Sequence, residues 1–164
     1  MNNYILIGMP SCGKSTLGRL LAKELQYDFV DTDEVIIRRN GCPLRDILDA
    51  RGVDGFVQVE EEAICSVEAE NTVIATGGSA VYSEKAMEHL KSMGKIIYLQ
   101  LSYEEMDRRL GDLHARGVAI APGSTLLDLY NERVPLYEKY ADITVNIRNG
   151  NSVRQSLQNL LQQL

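Results

Sequence analysis

Residues 8–16 read "GMPSCGKST", directly behind the apolar run "YILI" at 4–7. The spacing Gly8-x-x-x-x-Gly13-Lys14-Ser15 is the P-loop pattern. It stands in the context the pattern needs: a buried strand before it, and after it Leu17, Leu20, Leu21 and Leu25 at helical spacing on a polar segment. The residue types explain the chemistry. Glycines let the loop wrap with its N–H groups turned toward phosphate oxygens, and the helix that follows adds the positive end of its dipole. Lys14 supplies a full charge, and the Ser15 hydroxyl can ligate Mg²⁺. A plain glycine turn between strand and helix is the simpler reading, but it requires neither the lysine nor the serine. Gly8, Ser11, Cys12, Gly13, Lys14, Ser15 and Thr16 are therefore the candidate nucleotide-binding residues.

The rest of the chain repeats the same alternation. "DFV", "TVIAT", "KIIYLQL" and "DITVNI" read as further strands, and helical patterns fall at about 33–39, 43–50, 54–69, 83–92, 102–110 and 124–138. A last amphipathic helix is marked by Val153, Leu157, Leu160, Leu161 and Leu164. Strands alternating with helices predict an α/β fold, a parallel sheet of five strands flanked by helices on both faces, because parallel neighbours need long crossovers. One segment breaks the rhythm: "GDLHARGVAIAPG", 111–123, carries three glycines and a proline without a clean period, the mark of a functional lid or a flexible excursion.

"DFVDTDE" places Asp31 and Asp33 at a strand end. If the extended conformation persists, both carboxylates project the same way, toward the sheet edge where ligands of open α/β proteins bind. One carboxylate can then serve the metal and the other can receive a proton, as phosphoryl transfer to an alcohol requires. Without the P-loop, the pair reads as a strand end followed by a helix cap. The glycine pair Gly77–Gly78 after "TVIAT" leaves bare backbone that a substrate can approach. Arg108, Arg109 and the lid's Arg116 offer guanidinium groups to nucleotide or transition-state charge, and Arg133, just before Pro135, can clamp an anion or cap a helix end. His89 and His114 are isolated and read as surface residues; Cys42 and Cys65 read as packing residues.

Composition bounds the partners. The 164 residues, 45% of them apolar, suffice for a single domain with a real core. With 23 acidic against 17 basic residues, spread along the chain, there is no electrostatic footprint for nucleic acid or an anionic membrane. Three cysteines without a C-x-x-C pair support neither a disulfide framework nor zinc, and fit a reduced, cytoplasmic setting. No apolar run approaches the length of a membrane span, and no signal-peptide series opens the sequence. A monomer with a small-molecule partner is expected.

The assembled residues resemble the shikimate kinase family, small P-loop kinases with a nucleoside monophosphate kinase-like fold of the P-loop nucleoside-triphosphate hydrolase type. The likeness spans essentially the whole chain and rests on "GMPSCGKST", "DTD", "FVQVEEE", "VIATGG", the spacing from Arg109 to Arg116 in "RRLGDLHAR", and "ERVPLYEKYAD". It implies a five-stranded parallel sheet, ATP with Mg²⁺, transfer of the γ-phosphoryl group to a ring hydroxyl of shikimate, and a place in aromatic amino acid biosynthesis. It implies an acceptor-binding region at about 33–61 and a lid at 111–123 within one domain, 1–164. Lys14 and Ser15 would hold phosphates and metal, Asp31 would support the metal, and Asp33 would bind the accepting hydroxyl. Gly77 and Gly78 would line the acceptor, Arg109 would lie beside adenine, Arg116 over the phosphates, and Arg133 on the acceptor's carboxylate.

Four departures from the family pattern stand out. Its Phe-Arg substrate motif reads Phe56-Val57, its third substrate glycine is Ser79, its lid Arg-Pro reads Arg116-Gly117, and the proline beside adenine is Ser152. Phosphate chemistry is kept and acceptor recognition altered, with Val57 and Ser79 at the acceptor and Arg45 and Arg51 as candidates to replace the missing guanidinium. Shikimate is the first candidate acceptor. The alternatives are a different small alcohol, or a nucleotide-binding regulatory module that transfers nothing. A nucleoside or nucleotide kinase would want more arginine around 51–60 than the sequence has.

Overall fold

The computed structural model describes residues 2–110, 118–148 and 152–164. Five strands, β1 (Asn3–Ile7), β2 (Asp28–Asp31), β3 (Thr72–Ala75), β4 (Gly94–Gln100) and β5 (Ile143–Asn146), form one parallel sheet in the order β2-β3-β1-β4-β5. Its centre is the most apolar part of the chain. Ile5 pairs with Ile74 on one side and Ile96 on the other, and all three are fully buried. Residues buried on both faces of a central parallel strand must be apolar throughout, which is why "YILI" and "IIYL" read as runs rather than alternations.

Among the described residues seven helices pack around the sheet: α1 (Lys14–Leu25), α2 (Thr32–Asn40), α3 (Leu44–Cys65), α4 (Glu84–Met93), α5 (Tyr103–Arg109), α6 (Leu126–Tyr140) and α7 (Val153–Gln162). Most begin on caps that satisfy the free N–H groups of the first turn. Ser83 caps α4 and Ser102 caps α5, while Thr125 with Asp128 and Ser152 with Gln155 build reciprocal capping boxes on α6 and α7. Ser152, read above against the family's proline beside adenine, is thus occupied as a helix cap.

Two differences from the sequence expectation matter. The helices expected at 43–50 and 54–69 are both present, as two arms of α3 that meet at the non-helical Gly52 (φ 70°, ψ −176°), but the second arm ends at Cys65, short of the expected 69. Beyond it the periodicity of 66–69 continues, but the Ser66 hydroxyl donates to Ala63 O (2.6 Å) and the chain turns toward β3. A short 3₁₀ turn, Ala80–Tyr82, also follows β3, unannounced by any period.

The sheet and α1, α4, α6 and α7 share one hydrophobic core. A second, smaller cluster of Ile36, Ile47, Phe56, Val59, Ala63 and Ala119 holds α2 against α3. The functional cleft lies where the two meet. Among the described residues no helix is long and apolar enough to cross a membrane. His89 departs from its surface reading: it is half-buried, and its Nε2 lies 2.7 Å from Val67 O, tying α4 to the turn before β3. His114 lies outside the described residues.

Candidate active site

β1 ends at Ile7 and α1 starts at Lys14, so residues 8–13 turn over the sheet's carboxyl edge beside the point where strand order reverses between β3 and β4. Lys14, 8% exposed, folds back over this loop; its Nζ donates to Gly8 O and Met9 O, both at 2.7 Å. The ammonium group is therefore held at the loop's mouth by backbone carbonyls.

Asp31 and Asp33 do not project together, because the strand stops. Asp31 is the last residue of β2 and the N-cap of α2, its Oδ1 accepting from Asp33 N at 2.9 Å. Its other oxygen, Oδ2, accepts from the Ser15 hydroxyl at 2.8 Å. The helical turn then carries Asp33 away from its neighbour and into the cleft, where its Oδ1 lies 2.9 Å from where a Cβ on Gly77 would stand. Burial first, then the Asp31 carboxylate, push the Asp33 pKa up to about 6, against the lowering pull of Lys14.

The cleft encloses about 360 Å³ and is lined by Lys14, Asp33, Glu60, Gly77, Ser79 and Arg133 among others. This is the scale of a small-molecule site. Gly77 and Gly78 form its floor and have no room for a side chain. A Cβ on Gly77 would stand 2.6 Å from Glu60 Oε2, and one on Gly78 would stand 2.7 Å from Arg133 Nη1 and 3.0 Å from Pro10 Cδ. Arg133 comes from α6 and is 1% exposed. Its Nη2 donates to Ala119 O (2.7 Å), its Nε to the Tyr82 hydroxyl (3.2 Å), and its guanidinium lies over the Tyr82 ring. One turn further along α6, the Tyr137 hydroxyl donates to Gly78 O (2.6 Å), fixing the glycine floor from below.

On the other side of the P-loop, α5 contributes a charge cluster. Glu105 accepts hydrogen bonds from Arg108 and from Arg109 Nε (2.7 Å), which hold its carboxyl down at about 2. The same Arg109 donates from Nη1 to Ser11 O at 3.2 Å, so α5 is latched to the phosphate loop.

A family model described as shikimate kinase matches residues 10–164. The chain belongs to the shikimate kinase family. It is 37% identical over 156 residues to a shikimate kinase of Francisella tularensis subsp. novicida, covering 93% of this chain and 88% of that one. With a Haemophilus influenzae shikimate kinase it shares 40% over 147 residues, 87% and 82% of the two chains. Among solved structures, shikimate kinase from Aquifex aeolicus superposes with a TM-score of 0.82 at 30% identity, covering 98% of this chain and 94% of that one. Shikimate kinase from Acinetobacter baumannii in complex with shikimate gives 0.82 at 29% identity, covering 99% and 92%. The fold of the family, a five-stranded parallel sheet flanked by helices, is the fold found here.

Lys14, Asp33, Gly77, Gly78, Ser79 and Arg133 all line one cleft; Ser15 and Asp31 touch each other at its rim, and Arg109 reaches the P-loop. Val57 does not line this cleft. It faces a neighbouring cavity of about 550 Å³, with Tyr82, Ile120 and Pro122, because Phe56 and Glu60 occupy the stripe of α3 that points inward. Neither Arg45 nor Arg51 replaces a guanidinium there: both are exposed, and Arg45 lies 4.0 Å from Asp46. Arg116 and Gly117 lie outside the described residues, as does most of the expected lid. One charged residue of the cleft went unremarked in the sequence. Glu60 is 1% exposed, yet it sits in "VEEE", where neighbouring glutamates hide which one faces inward. Its signal was the spacing of four from Phe56.

Proposed function

We propose that this chain transfers the γ-phosphoryl group of ATP to a hydroxyl of shikimate. The observation that carries this reading is the Asp33 carboxyl, sequestered at the cleft floor beside the P-loop lysine and sharing the cavity with the buried guanidinium of Arg133. A pure nucleotide binder has no use for such a carboxyl. The shikimate seen with the Acinetobacter relative, and the curated relatives named shikimate kinase, support the acceptor.

In this reading the backbone of residues 8–16 and Lys14 bind the phosphates, and Arg109 lies beside the nucleotide. Asp33 accepts a hydrogen bond from the acceptor hydroxyl and takes its proton as that oxygen forms its bond to the γ-phosphorus and the bond to ADP breaks. Arg133 pairs with the acceptor's carboxylate, and Gly77 and Gly78 let the ring lie close to the backbone. Arg116, from the lid, meets the charge on the transferring group. Ser15 and Asp31 would hold Mg²⁺, whose charge stabilises the phosphates when it is bound. A hydroxyl and a carboxylate 2.8 Å apart are the hard oxygen donors this ion prefers. Family membership also supports a monomeric, cytoplasmic enzyme of aromatic amino acid biosynthesis, with residues 1–164 as one domain.

The test is ADP release with shikimate and a panel of other small alcohols. Saturable turnover with shikimate is expected; turnover restricted to another alcohol would overturn the acceptor, and none with any alcohol would leave a binding module. Asp33→Asn should lose turnover by about 10²–10⁴-fold, the contribution of a positioned general base, with ATP affinity unchanged.

A further inference from the structure

Among the described residues that line the cleft, Arg133 carries the one guanidinium, since Val57 stands where the family has a second arginine. A carboxylate gripped by two forks is centred between them; gripped by one, it lies wherever that fork points. What aims Arg133 therefore decides where the acceptor sits.

Arg133 is buried, yet among the described residues no carboxylate stands within ion-pair distance of it. Three contacts hold it instead. Ala119 O accepts from Nη2 at 2.7 Å, the Tyr82 hydroxyl accepts from Nε at 3.2 Å, and the guanidinium carbon lies 5.2 Å from the centre of the Tyr82 ring. Nη1 is left over the bare backbone of Gly78, on the cleft floor. Tyr82 thus supplies two of the three contacts, although it lies outside the cleft and lines the neighbouring cavity with Val57.

A tyrosine suits this place where a carboxylate would not. A carboxylate would neutralise Arg133 and compete with the acceptor for its N–H groups. Burial, the largest influence, raises the Tyr82 phenol above its ordinary value against the pull of Arg133, so it meets the guanidinium as a neutral hydroxyl. The ring face attracts the cation and leaves its remaining donors unspent.

We propose that Tyr82 is a positioning residue for the acceptor: its hydroxyl and ring together fix the Arg133 fork so that Nη1 meets the acceptor's carboxylate, doing with one guanidinium what a second arginine at position 57 would share. The inference rests on the kinase reading of the cleft and adds to it a residue that acts through Arg133 alone.

The experiment measures kcat and KM for shikimate and for its neutral amide, with the dissociation constant of ATP, in Tyr82→Phe and Tyr82→Leu. Tyr82→Phe keeps the ring and loses the hydroxyl; it should raise the shikimate KM about 3- to 10-fold, the scale of one hydrogen bond, with kcat and ATP affinity within about twofold. Tyr82→Leu loses both contacts and should raise that KM about 10- to 100-fold. With the amide, which offers Arg133 no anion, Tyr82→Phe should change KM by less than about twofold. In an Arg133→Lys chain, which has no fork to aim, Tyr82→Phe should likewise cost less than about twofold, and this arm decides the matter where the amide turns over too slowly. Equal losses with shikimate and amide, or in both Arg133 backgrounds, would make Tyr82 a structural residue and overturn the proposal while the kinase reading stands. No turnover of shikimate by the unmutated chain would overturn both.

Discussion

At the scale of single residues, the reaction depends on the proton affinity of Asp33. Its carboxyl is raised to about 6 chiefly by burial and by Asp31, so it is ionised, and able to take a proton, only above that pH. We expect kcat/KM for the acceptor, which reports the free enzyme, to rise with pH through about 6 and then level off as a single proton is lost. A profile that is flat from pH 5 to 8 would remove Asp33 as the base. This residue was legible from the D-x-D spacing, although for a reason that needed amending. Continued strand would have aimed both carboxylates alike, whereas the cap at Asp31 separates their tasks, one oxygen to Ser15 and the next carboxyl to the cleft. Glu60 was hidden because a run of three glutamates gives no contrast between faces; only the packing of α3 picks one. Val57 faces the adjoining cavity, which shares Ala119 with the cleft, and its direction depends on the rotation of α3 after Gly52, which the sequence does not give.

At the scale of elements, two glycines make opposite demands that substitution to alanine separates. Gly52 kinks α3 with a backbone that only glycine adopts without strain, yet a Cβ there would meet nothing within 4 Å. Gly52→Ala should therefore cost about 1–3 kcal/mol of stability through the backbone alone, read as a shift in the urea midpoint, with acceptor affinity in the surviving folded protein little changed. Gly77 carries no such strain, but its Cβ would collide with Glu60 and Asp33 at 2.6 and 2.9 Å. Gly77→Ala should displace those carboxyls and raise the acceptor KM more than tenfold while ATP still binds. If Gly52→Ala weakened acceptor binding as strongly as Gly77→Ala, the kink would belong to the site rather than to the scaffold. The elements themselves were readable, because strands buried on both faces and helices with Ser or Thr caps leave strong local marks. The break in α3 was readable as two helices, but nothing local says that they join end to end.

At the scale of the whole molecule, the cleft is a polar seam between two apolar clusters, the large one under the sheet and the small one joining α2 to α3. Lys14, Glu60 and Arg133, all less than a tenth exposed, lie along it. Such a seam costs stability in the free protein, and Glu60 allows that cost to be measured. Its carboxyl moves from an ordinary 4.5 to about 7 on folding, mainly through burial. A raised folded pKa means that the native state holds the proton more tightly, so the stability this gives is complete below about 4.5 and is lost as pH rises toward 7. Above 7 the folded protein carries a buried carboxylate, a penalty of about 3 kcal/mol relative to its protonated form. Glutamine mimics the protonated state at every pH. Glu60→Gln should therefore melt close to the unmutated chain at pH 5 and above it at pH 8, the gap widening by about 6–12 °C for a chain of this size. A gap that is the same at both pH values would mean that Glu60 titrates no differently in the folded and unfolded chains, and that the seam is wet enough to solvate it.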